Sequence, residues 1–202
     1  VCGITSKLPD NTLPEVAFAG KSNVGKSSLI NSLSGVRKLA HVSREPGKTR
    51  TINYYSIQSR RDVGDGEERQ DWFLVDLPGY GFARASEEVK AKWGKLIEDY
   101  LHQSKMLHAV FLLIDIRHAP SNNDRIMYNW ILRNGYQPII IATKLDKIKR
   151  SQLQKQIKLI RETLEVEKDT IVIPFSAETK QGREEIWNLI DEIRSDAEES
   201  GE

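Results

Sequence analysis

Glu15-Val16-Ala17-Phe18-Ala19-Gly20-Lys21-Ser22-Asn23-Val24-Gly25-Lys26-Ser27-Ser28 runs from a short apolar segment into two glycines with four residues between them, followed by Lys and Ser. The apolar half predicts a strand, the Gly-rich half a tight turn, and Lys26–Leu33 a helix that stops near Gly35. That order is what a phosphate cradle needs: successive backbone N–H groups turn inward around the anion, and the following helix presents its N-terminus to the negative charge. In this pattern Lys26 bridges the β- and γ-phosphates, the Ser27 hydroxyl holds Mg²⁺, and Gly20 to Ser28 form the candidate nucleotide-binding loop. An ordinary Gly-containing turn is the bland alternative, and the flanking strand and helix argue against it.

Working outward, Thr143-Lys144-Leu145-Asp146 follows the predicted strand Pro138–Ala142. A carboxylate there accepts two hydrogen bonds from the N1–H and exocyclic amine of guanine, donors that adenine lacks at that edge. Asp146 therefore selects guanine, and Lys144 lays its aliphatic stem along the base. Such a string is common on surfaces; its force comes from its place at the carboxyl end of a strand, where open α/β sheets bind ligands. Asp76-Leu77-Pro78-Gly79 ends another predicted strand and supplies an acid near Mg²⁺ through water, plus a Gly N–H for the γ-phosphate. Between them, Gly47-Lys48-Thr49-Arg50-Thr51 offers Thr49 as a Mg²⁺ ligand, with Thr51 as its rival. Phe175-Ser176-Ala177, at the end of the last strand, offers a backbone N–H to the guanine oxygen. Lys26, Thr49 and Gly79 are the residues expected to act on the reacting phosphate.

The rest of the chain alternates. Thr51–Ile57 and Trp72–Val75 read as strands around a solvated, charged hairpin loop at Arg60–Gln70. Ser86 opens a helix with the apolar spacing Val89, Trp93, Ile97, Leu101. Three strand–helix pairs follow, Ala109–Ile114 with Asp124–Asn134, Pro138–Ala142 with Gln152–Leu164, and Ile171–Phe175 with Glu184–Ile193. Ser121 with Asp124 and Ser151 with Gln154 read as capping boxes. Near-continuous apolar strands alternating with amphipathic helices predict a three-layer α/β fold with helices on both faces of a mostly parallel sheet.

With 202 residues, 39% hydrophobic and 29% charged, the chain suits one domain and excludes collagen-like or disordered classes. We expect an N-terminal extension at 1–12, one domain at 13–195 and an acidic, disordered tail at 196–202. A net charge of +1 makes no global case for a nucleic-acid or membrane binder. The single Cys2 and four His in no zinc spacing suit a reducing, cytoplasmic setting, and no apolar run approaches the ~20 residues of a membrane span. Charge is local instead: residues 37–61 and 144–161 each hold seven Lys/Arg against one acid. Both stretches flank the expected site and could dock RNA phosphates or be ordinary solvated faces.

The five segments, in this order, resemble the translation-factor-related class of P-loop GTPases with the Ras-like fold. More narrowly, Ser43-Arg-Glu-Pro-Gly-Lys-Thr-Arg, Asp76-Leu-Pro-Gly-Tyr-Gly-Phe-Ala and Arg117-His-Ala-Pro-Ser-Asn-Asn-Asp are similar to the bacterial EngB family, also called YihA or YsxC. The resemblance covers about Leu13 to Arg194. It implies a GTPase (G) domain with a six-stranded sheet containing one antiparallel strand, GTP and GDP binding with Mg²⁺, and slow hydrolysis by a monomer with no membrane partner. It further implies a role in assembling the large ribosomal subunit, with precursor rRNA and ribosomal proteins as partners, and a link to cell division and septation. A GTP-regulated scaffold for division proteins with incidental hydrolysis is the alternative. Where Ras-type enzymes carry a water-orienting Gln, this chain has Tyr80, so intrinsic turnover should be low. Asn23 resembles the asparagine through which related GTPases hold K⁺, or else simply caps the loop. Arg84 and His118 read as surface or interfacial residues rather than as an internal finger and a base.

Overall fold

The computed structural model describes residues 12–36, 38–40, 51–62, 67–80 and 87–199. The elements are β1 (Glu15–Gly20), α1 (Lys26–Ser34), β2 (Asn53–Asp62), β3 (Glu67–Asp76), α2 (Glu87–Gln103), β4 (Leu107–Asp115), α3 (Asn122–Arg133), β5 (Ile139–Thr143), α4 (Leu153–Leu164), β6 (Val172–Pro174) and α5 (Arg183–Glu199). They build one six-stranded sheet in the order β2-β3-β1-β4-β5-β6, parallel throughout except for the antiparallel β2–β3 pair.

Both faces are covered, which is why the central strands read as unbroken apolar runs. Alternate residues go to opposite sides. Ala17, Ala19, Val110, Leu112, Ile140 and Ala142 face a core closed by Ile97 and Tyr100 of α2, Met127 and Ile131 of α3, and Ile160 and Leu164 of α4. Val16, Phe18, Phe111, Leu113, Ile139 and Ile141 face a second core closed by Leu29, Ile30 and Leu33 of α1 and Ile186 and Ile190 of α5. Phe18 and Phe111 stack across β1 and β4 with centroids 5.1 Å apart.

The chain leaves β1 through α1 on the second face and leaves the adjacent β4 through α3 on the first. Loops that diverge in this way open a crevice at the carboxyl ends of the two strands, the place where α/β sheets take ligands. A cleft of about 260 Å³ lies there, bounded by Lys21–Val24, the turn after β4 and the first turn of α3.

Two expectations need correction. Arg60–Gln70 is not mainly loop: β2 and β3 pair in register from Asn53↔Asp76 to Asp62↔Glu67, leaving only 63–66 to connect them. Charged residues suit strands here because β2 is an edge strand whose outer positions face solvent. Ser151 does not cap α4, which opens through a 3-10 turn at Arg150–Gln152 in which Gln152 Oε1 accepts the Lys149 N–H at 3.0 Å. The other box is present, Ser121 capping α3 with Asp124 answering it. α5 runs on to Glu199, into the segment read as a tail. Ser86 and residues 41–50, with Gly47, Lys48, Thr49 and Arg50, lie outside the described residues, as do Arg84 and the N-terminal eleven.

Candidate functional site

The phosphate end is built on the turn between β1 and α1. Asn23 sits at φ 63° and Gly25 at φ 110°, the left-handed region that lets successive amides face the same side. Gly25 is the N-cap of α1 and supplies no side-chain cap, so the first turn of the helix, Lys26 to Ser28, keeps its N–H groups for an anion. Gly20 is needed for space, since a Cβ there would meet Val24 Cγ1 at 2.8 Å.

Lys26 is buried and its Nζ forms an ion pair with Asp76 Oδ1, itself buried at the end of β3. The two motifs therefore converge on one point. Ser27, next to Lys26, is half-buried. A serine hydroxyl and a carboxylate are hard oxygen donors that suit Mg²⁺, which takes most of its shell from water and phosphate oxygens. Among the described residues no group of three His, Cys, Asp or Glu forms a protein-only cage; Ser27 and, through water, Asp76 are donors of the kind such an ion would take.

Gly79 packs on the phosphate loop, where a Cβ would reach Ser22 Oγ at 3.0 Å. Tyr80, the next residue, is bonded to that loop at both backbone ends: its N–H donates to Gly20 O at 3.3 Å, and its carbonyl accepts the Ser22 N–H at 3.0 Å. Its phenol points away, into α3, and donates to Asp124 Oδ1 at 2.8 Å. Burial, then the Asp124 charge, push that phenol well above its ordinary value, so it remains a donor.

The guanine end is tied to the phosphate loop directly. Thr143 Oγ1 donates to Val24 O at 2.6 Å, and Lys144 Nζ, on a residue at φ 62°, donates to Asn23 O at 2.7 Å. Asp115, which sequence reasoning passed over, holds that lysine at 2.8 Å and takes a two-pronged contact from Arg117 at 2.9 and 2.7 Å. Burial alone would raise the Asp115 carboxyl, but the hydrogen bonds from Arg117 and Lys144 outweigh it and hold the group far below the usual range. The signal that could have found it was an acid at the carboxyl end of β4, in register with Thr143 of the guanine motif on β5.

Asp146 Oδ2 takes the Lys147 ammonium at 2.9 Å and Oδ1 the Ser176 hydroxyl at 2.7 Å. The bond from Lys147, then that from Ser176, lowers its carboxyl below the ordinary value. In Phe175-Ser176-Ala177 the first two amides are already committed, to Ala142 O at 2.8 Å and Gln181 O at 3.1 Å, which leaves Ala177 as the donor for a guanine oxygen. Thr51 Oγ1 donates to Asn53 Oδ1 at 3.0 Å. The predicted site residues that the structure describes thus lie at one end of the sheet, at the carboxyl ends of β1, β3, β5 and β6 and in the turns that follow, with Thr51 just ahead of the start of antiparallel β2.

The family model for 50S ribosome-binding GTPases matches residues 15–144. The protein named "Probable GTP-binding protein EngB" from Lachnospira eligens is 59% identical over 191 residues, which is 95% of this chain and 85% of that protein. The chain belongs to the EngB family of GTPases. Its counterpart of the same name from Lachnoclostridium phytofermentans is 54% identical over 193 residues, covering 96% of this chain and 90% of that one. A solved structure described as a probable GTP-binding protein engB matches with a TM-score of 0.65 at 28% identity, over 89% of this chain and 97% of that one. Like its family, the chain binds guanine nucleotide and hydrolyses GTP. Among the described residues no helix is long and apolar enough to cross a membrane.

Proposed function

We propose that the chain is a Mg²⁺-dependent GTP switch in large ribosomal subunit assembly, monomeric and cytoplasmic, with turnover kept low by the absence of a water-orienting side chain after Gly79. One observation carries the nucleotide reading: Thr143 and Lys144 of the guanine motif donate to Val24 and Asn23 of the phosphate loop, so recognition of the base and of the phosphates is one rigid unit. On this reading the loop Gly20 to Ser28 cradles the phosphates, with the N–H groups of Lys26 to Ser28 among its donors, and Asp146 grips the base. Lys26 neutralises the β- and γ-oxygens, while Ser27 and, through water, Asp76 would hold Mg²⁺, and Thr49 would join them when the γ-phosphate is present. When bound, the ion would supply neutralisation of the phosphate charge. Gly79 donates its N–H to the γ-phosphate, and the segments 47–51 and 79–86 respond to its loss. Asn23, exposed in the loop, is the candidate K⁺ ligand.

The ribosomal part is supported by the family description and by the exposed Lys147, Lys149, Arg150, Lys155 and Lys158 beside the guanine motif, a basic surface suited to rRNA phosphates. A link to septation would follow from ribosome supply. Titration with GDP, GTP and ATP tests the nucleotide reading, and equal affinity for ATP overturns it. Sedimentation with large-subunit precursors, in a GTP analogue and in GDP across a salt series, tests the rest; no dependence on nucleotide or salt ends it. Equal turnover in K⁺ and Na⁺ rejects the K⁺ role.

A further inference from the structure

Tyr80 follows Gly79, and its side chain does something other than face the phosphates. The phenol crosses to the first turn of α3, where Asp124 Oδ1 accepts it at 2.8 Å. The other oxygen of Asp124 is already held, accepting the Ser121 N–H and the Ser121 hydroxyl, each at 2.7 Å. Both side chains are buried, Tyr80 at 9% and Asp124 at 6% exposure, so the carboxylate keeps one rotamer and one oxygen for the phenol. Asp124 is also the N3 residue of the capping box that opens α3, so its carboxylate is fixed on the first turn of the helix. The backbone of Tyr80, for its part, is bonded to Gly20 and Ser22 of the phosphate loop. A chain of hydrogen bonds thus runs from the phosphate loop through the Gly79–Tyr80 peptide to the N-cap of α3.

We infer that the Tyr80–Asp124 hydrogen bond is a latch that holds the Gly79 N–H aimed at the γ-phosphate, which makes Asp124 a positioning residue for GTP over GDP. The inference rests on the nucleotide reading given above. Only GTP makes the Gly79 contact, and apparent affinity falls with the fraction of molecules in the competent arrangement. Loss of the latch therefore weakens GTP and spares GDP. A tyrosine here trades the water-orienting role of an amide for control over the γ-phosphate contact, and it ties the nucleotide state to the α3 surface.

The test is the ratio of affinities for a non-hydrolysable GTP analogue and for GDP, measured by calorimetry on the full chain. Tyr80→Phe removes only the hydroxyl; it should weaken the analogue about tenfold and change GDP by less than about twofold. Asp124→Asn should shift the ratio in the same direction, and the double variant should be no worse than the worse single one. Ile131→Val, a buried change elsewhere in α3, should lower Tm and leave the ratio alone. An unchanged ratio in Tyr80→Phe, additive effects in the double variant, or an equal shift in Ile131→Val overturns the latch. Failure of the unaltered chain to bind either nucleotide instead overturns the nucleotide reading, and the latch with it.

Discussion

Two buried cations sit at opposite ends of β3. At its carboxyl end Lys26 pairs with Asp76, in a turn whose glycines leave backbone amides facing outward. Six residues back along the strand, about 20 Å away at the usual rise, Arg194 of α5 is buried at 1% exposure. Its Nη2 donates to Gln70 Oε1 at 2.6 Å and its Nη1 to Ser59 Oγ at 3.1 Å, while its guanidinium lies 5.6 Å from the centre of the Trp72 ring. The difference is in what the partners can do. Lys26 is held by a single carboxylate beside uncapped amides, an arrangement open to exchange with an anion. Arg194 is held by the neutral Gln70 and Ser59, an aromatic wall and a longer ion pair to Asp191 at 3.7 Å on its own helix, and it fastens the β2–β3 hairpin to α5. One cation is placed for chemistry, the other for register.

The sharpest way to break this contrast is Lys26→Ala. Leaving the Asp76 carboxylate buried without its ammonium should cost about 3–5 kcal/mol of stability. It should also weaken GTP and GDP by about a hundredfold or more, read by thermal melting and calorimetry. Arg194→Met should cost about 2–4 kcal/mol through loss of the contacts to Gln70 and Ser59, yet GDP affinity of the folded protein should stay within about twofold of the original; a large loss of affinity would mean that the two ends are coupled. Gly182→Ala tests the loop behind the guanine site. The residue is at φ 80° and a Cβ would collide with the Pro174 carbonyl oxygen, so we expect about 2–3 kcal/mol of destabilisation and weaker guanine binding as Ser176 and Ala177 move.

Asp146→Asn should reduce guanosine nucleotide affinity by about 10–100-fold and favour xanthosine nucleotides, with melting temperature little changed. Unchanged discrimination would separate Asp146 from the base. The smallest effect concerns pH. Asp146 is depressed below the ordinary value of 3.8 in the folded chain. The charged form, which binds guanine, therefore persists below that value, and the stability contributed by its contacts is present above it and lost as pH falls through the depressed value. GDP affinity should change by less than about twofold between pH 7 and 5; a midpoint near pH 6 would contradict the placement of Lys147 and Ser176.

The phosphate loop was legible because its chemistry is local: two glycines at fixed spacing shape the backbone, and the next two side chains complete the cradle. The hairpin was not, since Arg60 to Gln70 carry turn-like and charged residues whose strand character comes only from pairing, Ser59 with Gln70 and Arg60 with Arg69. Tyr80 was noted for what it cannot do, while its bond to Asp124, 44 positions away, had no trace in either local pattern.

Spacing and periodicity in the chain alone determined the order of elements, the two-sided sheet and the position of the phosphate loop, Asp76–Gly79, Thr143–Asp146 and Phe175–Ala177 at strand ends, because backbone geometry and burial act over a few residues. The folded structure decided which ends meet: Thr143 on Val24, 119 positions apart, and Arg194 on Gln70, 124 apart. Hydrogen bonds between such distant groups depend on how strands order in the sheet and how helices seat upon it. That is a property of packing, which no short stretch of residues contains.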